Sequence, residues 1–159
     1  MNLQVDIQCA SAEPVPDEDD IRSWIAATLE DTARTDAEIS VRLVDRNEMA
    51  RLNHDYRGKV GATNVLSFPA ELPAELRQPL LGDIVICAPV VREEAAQQGK
   101  ALDAHWAHMA VHGTLHLLGY DHIDDADAQV MEAREGVILS RLQYDCPYTE
   151  SGTAESPAQ

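Results

Sequence analysis

Three histidines in one short stretch, His112, His116 and His122, are the residues in this chain best placed to do chemistry. In a helix, positions four apart lie on the same face, so the imidazoles of His112 and His116 can reach a single ion together. Gly119 follows the last apolar residues of that helix, where a left-handed residue ends a helix and turns the chain back. The reversal brings His122 toward the third position. Three neutral imidazoles with an open fourth position are the arrangement used by catalytic zinc, whose open site holds a water to be activated. Nickel, cobalt and copper also bind imidazole, so the spacing implies a metal more firmly than it implies which one.

The spacing His-x3-His-x2-Gly-x2-His coincides with the metal-binding pattern of the metzincin proteases at every ligand position. One position departs from it. Where the proteases carry a glutamate as general base, directly after the first histidine, this chain has Gly113. A metal helix without that base argues against peptide hydrolysis by the protease route. His105 and His108 lie on the same helical face, one and two turns earlier; support of the ligands from behind and an RNA-facing edge are alternatives, and a structural role is the preferred reading. Asp121 is read as a turn residue or as a carboxylate supporting a ligand from behind.

The elements that must hold these groups follow from periodicity. Leu3, Val5, Ile7 and Cys9 alternate with polar residues, as do Ile39, Val41 and Leu43, and both runs predict strands with one buried face. Between them, Asp19 or Asp20 caps a helix through Ile21, Trp24, Ile25 and Leu29. A short helix is expected over 47–54, then an exposed loop over 56–63 containing Arg57 and Lys59. Asn64 to Phe68 reads as a strand that Pro69 ends or places at an edge. The prolines at 73 and 79 indicate a loop, and Asp83 to Cys87, near-continuously apolar, a central strand buried on both faces. Helices are expected over 90–98, 102–118 and 126–142, the last presenting Val130, Met131, Val137, Ile138 and Leu142. The fold expected is α/β (α+β), one domain over 1–148 with a mixed sheet of about four strands and about five helices, and a disordered tail over 149–159.

Composition bounds the rest. The 159 residues, 45% hydrophobic, suffice for one substantial core. Cys9, Cys87 and Cys146 are odd in number and widely spaced, two of them in runs read as buried strands, which opposes a disulfide framework. No leader-like segment precedes the first strand and no apolar run approaches a membrane span, so a cytoplasmic protein is expected. Twelve basic residues against 28 acidic ones give a formal charge of -16, which repels polyanions at long range. Ten of the twelve are arginines, and the acids crowd Glu13 to Asp20, Glu30 to Glu38 and Asp121 to Glu135, which leaves room for a locally basic cleft.

The run from Ala104 to His122, AHWAHMAVHGTLHLLGYDH, resembles the signature of the YbeY family of bacterial endoribonucleases and rRNA maturation factors. Leu52 to Lys59 leading to Thr63 to Pro69 is similar to a second block of that family, and Leu81 to Cys87 to a third. The resemblance extends from the first strand to about Tyr148. It implies a zinc-dependent, single-strand-specific endoribonuclease acting in rRNA processing, especially at the small-subunit rRNA 3′ end, and in ribosome quality control. It also implies one zinc per chain on His112, His116 and His122, Arg57 as the functionally required arginine, and RNA, the ribosome and ribosomal proteins as partners, with no membrane. The arginine makes independent sense, because a guanidinium grips a phosphate through two parallel hydrogen bonds and offsets charge developing on phosphorus. The alternative reading is a ribosome-assembly factor in which zinc is structural; a metallopeptidase is the less favoured third.

Overall fold

Alternating apolar residues set out the sheet. In the computed structural model, which describes residues 2–70, 79–120 and 124–144, strand β1 runs over Asn2–Cys9, β2 over Asp36–Val44, β3 over Val65–Pro69 and β4 over Leu80–Cys87. Their order is β1-β2-β4-β3. The first three pair in parallel and β3 runs antiparallel to β4, with Val65 opposite Ile86 and Phe68 opposite Asp83. β4 is therefore central, as its apolar run requires, and Pro69, which lacks an N–H, sits at the end of an edge strand.

Five helices complete the domain: α1 (Glu18–Leu29), α2 (Arg46–Arg57), α3 (Ala88–Gln98), α4 (Leu102–Leu117) and α5 (Asp125–Arg141). Val5, Ile39, Val41, Leu43, Ile84 and Ile86 point to one side of the sheet and pack with Ile21, Ile25 and Leu29 of α1 and Trp106, Val111 and Leu115 of α4. On the other side Val44, Leu66, Val85 and Cys87 pack with Met49 of α2. Helix α4 touches α1, α3, α5, β3 and β4, so its own surface is almost wholly used in packing. That explains why a helix carrying four histidines is nonetheless buried along most of its length.

Several expectations need correction. The helix expected over 47–54 continues to Arg57, and the exposed loop begins only at Gly58, which caps α2 in the left-handed conformation. Tyr56 and Arg57 are thus last-turn helical residues. α1 starts ahead of the expected cap, with Asp17 as its N-cap. Cys9 is exposed at the end of β1; Cys87 is buried, and both are free thiols. In α5, Val130 and Val137 are exposed, and the buried face is instead formed by Met131, Glu135, Ile138 and Leu139. The loop around Pro73, the metal-ligand candidate His122, Asp121, Cys146 and the tail over 149–159 lie outside the described residues.

Candidate metal centre

Helix α4 lines up His105, His108, His112 and His116 along one stripe, with successive ring centroids 5.9, 6.3 and 4.7 Å apart. His105 and His108 are buried, whereas His112 and His116 are half-buried at the wall of a cleft of about 940 Å³. The helix stops where expected. Gly119 has φ +103°, and the N–H groups of Gly119 and Tyr120 donate to the carbonyls of His116 and Leu115. This pattern of bonds closes the last turn and reverses the chain beside the two histidines.

Behind His112 stands Glu135, wholly buried on α5. Its Oε2 accepts from His112 Nδ1 at 2.5 Å and its Oε1 accepts from His108 Nε2 at 3.3 Å. Burial pushes the carboxyl up, but the bonds from His108 and His112 outweigh it and hold the pKa far below the ordinary carboxylate value. Glu135 is therefore an anion inside the protein, kept there by two imidazole donors. His108, His112 and Glu135 each offer one atom within 4.8 Å of the others, a grouping that could hold a metal ion.

A further buried row continues away from the cleft. His105 Nε2 meets Glu94 Oε1 at 2.9 Å, and Glu94 also accepts from Asn64 Nδ2 at 3.1 Å. Lys100 Nζ lies 3.2 Å from His105 Nδ1 and 3.5 Å from His108 Nδ1. Burial lowers the pKa of both Lys100 and His105, with Glu94 opposing it in each case.

The cleft's other wall comes from β3 and the end of α2. Ser67 donates to the Gly113 carbonyl at 3.0 Å, clamping the edge strand to the metal helix. A Cβ at Gly113 would meet Ile84 Cγ2 at 2.9 Å and Ser67 Oγ at 3.3 Å. The position where a metalloprotease keeps its glutamate is thus packed against the sheet, with no space for a side chain. Arg57 also lines the cleft; its side chain forms no hydrogen bond or ion pair with the described residues. Asn53 steadies the loop that follows by donating to the Gly61 carbonyl at 2.9 Å.

The structure thus places Arg57, His112 and His116 around one cavity. His122 follows the turn at Gly119 but lies outside the described residues. Sequence reasoning missed Glu135, Glu94 and Lys100. For Glu135 a signal existed: with Met131, Ile138 and Leu139 it falls on one helical stripe, and a carboxylate within an apolar stripe demands a partner.

Comparison with known proteins matches residues 6–143 to the family model described as "Endoribonuclease YbeY". Curated relatives with that name include one from Pseudomonas syringae pv. tomato, 53% identical over 98% of this chain and 93% of its own length. Another, from Methylococcus capsulatus, is 54% identical over 93% of this chain and 97% of its own length. Among solved structures, the solution structure of a Thermotoga maritima protein shares the fold with a TM-score of 0.63 at 23% identity, covering 87% of this chain and 89% of that one. With a family model spanning the whole described core and relatives this similar end to end, the chain belongs to the YbeY family.

Proposed function

We propose that this protein is a zinc-dependent endoribonuclease that cuts single-stranded RNA in rRNA maturation, including the small-subunit rRNA 3′ end, and in ribosome quality control. The observation that carries the reading is the convergence of Arg57 with His112 and His116 on one cleft, in a chain whose relatives are named endoribonucleases. His112, His116 and His122 would hold the ion. The 2.5 Å separation of His112 Nδ1 from Glu135 Oε2 is a hydrogen-bond length; two donors of one tetrahedral zinc stand about 3.3 Å apart when each bond is about 2.0–2.1 Å. Glu135 is then a partner of His112, and Nε2, on the opposite side of that ring, is the atom that would hold the ion.

When bound, the ion supplies Lewis-acid chemistry at a phosphodiester. The protein's own part is to bind and orient. Arg57, on the opposite wall, grips a phosphate oxygen through its guanidinium and offsets the negative charge that builds up during cleavage. A cationic group in the cleft also addresses the formal charge of -16. RNA is drawn in by local contacts, and the acidic exterior is left to face basic ribosomal proteins. None of the described helices is long and apolar enough to cross a membrane, in keeping with the cytoplasmic site of action we assign.

Elemental analysis of wild-type and His116→Ala protein, paired with cleavage of a single-stranded RNA, tests this reading. About one zinc per chain, lost together with cleavage while the fold persists, is the expected result. Zinc in the wild type without cleavage would instead favour the assembly-factor reading with structural zinc. Absence of zinc from the wild type would overturn both.

A further inference from the structure

The buried polar row behind the cleft has a direction that can be worked out atom by atom. An ammonium group only donates, so Lys100 Nζ requires the facing Nδ1 atoms of His105 and His108 to be acceptors. Neutral imidazole carries one proton, and in both rings it must then sit on Nε2. His105 donates it to Glu94, and His108 donates it to Oε1 of Glu135. The other oxygen of Glu135 accepts from Nδ1 of His112. The last proton in the series is therefore on Nδ1 of His112, and the lone pair is on Nε2.

We propose that Glu135, directly, and Lys100, by way of His108 and Glu135, are positioning residues that hold His112 in the tautomer whose Nε2 would take the metal. Lys100 stands at the head of the series. It is placed there by the end of α3, where the N–H groups of Gly99 and Lys100 bond back to Ala96 and Ala95 and turn the chain so that this half-buried lysine lies under the start of α4. Reversing the tautomer of His108 would set its lone pair against the Glu135 carboxylate, two acceptors facing each other in a buried site. The part played by the metal rests on the functional reading above; the directions of the hydrogen bonds do not.

Long-range 1H–15N correlation spectra of the metal-free, full-length protein, recorded above the titration range of histidine, test the series directly. His105 and His108 should be protonated on Nε2 and His112 on Nδ1. Zinc affinity measured by competition with a chromophoric chelator supplies the second readout. Glu135→Gln, which can accept from only one of its two imidazoles, should weaken zinc binding about 10- to 100-fold. Lys100→Met should mix the two tautomers of His108 and weaken zinc binding by a smaller factor, and Lys100→Arg, which restores a donor, should recover both. Should Glu135→Gln fail to fold, Lys100→Met carries the test, with helix content by circular dichroism as the control. His108 protonated on Nδ1 in the wild type, or a folded Lys100→Met protein with wild-type tautomers and zinc affinity, would overturn the proposal. A wild-type protein with the expected tautomers that takes up no zinc would support the donor series and overturn the zinc reading of the cleft instead.

Discussion

The two walls of the cleft are built by opposite means. On one side, α4 is packed against five other elements, its buried rings at His105 and His108 are each engaged at both nitrogens, and His112 is joined through Nδ1 to the buried Glu135. On the other, Arg57 ends a helix and is followed by the exposed segment from Gly58 to Gly61, which Asn53 steadies through the Gly61 carbonyl. The first wall suits a small ion with fixed bond lengths, for which a displaced ligand is a lost ligand. The second suits a long, flexible polyanion, which an exposed guanidinium can meet. If the proposed roles hold, metal binding and RNA gripping fall to walls that differ in packing, and substitutions should separate them.

The largest effect is expected on the packed wall. His112→Ala or His116→Ala should abolish stoichiometric metal and lower RNA cleavage by about 10³-fold or more, because the chemistry supplied by the ion disappears with it. Retention of one metal per chain in either variant would break the division between the walls. Arg57→Ala should lower kcat/KM for a single-stranded RNA by about 10²-fold, as removal of one group stabilising developing charge does elsewhere, with metal content and thermal midpoint unchanged. A loss of metal in that variant would mean the two walls are one unit. Arg57→Lys should recover only part of the activity, since an ammonium lacks the planar fork.

Two glycine substitutions sharpen the contrast. Gly113→Ala should destabilise the fold by about 1–3 kcal/mol in urea unfolding, because its methyl is forced against Ile84 and Ser67. Gly58→Ala meets nothing within 4 Å, so only its left-handed backbone, φ +66°, opposes the change, at about 1 kcal/mol. Equal effects at the two positions would count against a difference in packing. The smallest effect concerns the far ends of α1 and α5, where Asp31 pairs with Arg134 and Arg141. The hydrogen bonds from Arg141 and Arg134 hold the Asp31 pKa below 3.8. Its contribution is present above that value and fades as pH falls through the lowered one. Asp31→Asn should therefore shift the unfolding midpoint slightly at neutral pH and not at all in strong acid, and neither value should alter cleavage.

Much of this architecture could be read from spacing alone. Ile39, Val41 and Leu43 announce a half-buried strand, and the apolar run before Pro89 a central one, because burial on one or two faces leaves a direct imprint on residue order. The helix that carries His112 and His116 and its stop at Gly119 are legible in the same way, from apolar spacing and a glycine at its end. The last turn, Asp55-Tyr56-Arg57, is not legible as helix because it is polar and carries no apolar period. Its continuation depends on α2 docking across Val85 and Leu66 and on the cap at Gly58. Glu135 closes the acid-rich run from Asp121, and although it falls on α5's apolar stripe, the partners that allow its burial lie on another helix. Lys100 is harder still: its partners at 105 and 108 are near in sequence, but only the turn at the end of α3 points its side chain at them.

Gly113 also bears on the protein's history. A change to glutamate at this position would complete the sequence pattern of a peptidase in a single step. Yet that side chain would have to enter the space held by Ile84 and Ser67, so the change would strain the contact between α4 and the sheet. One substitution separates the two sequence patterns, and the packing of α4 on the sheet resists it.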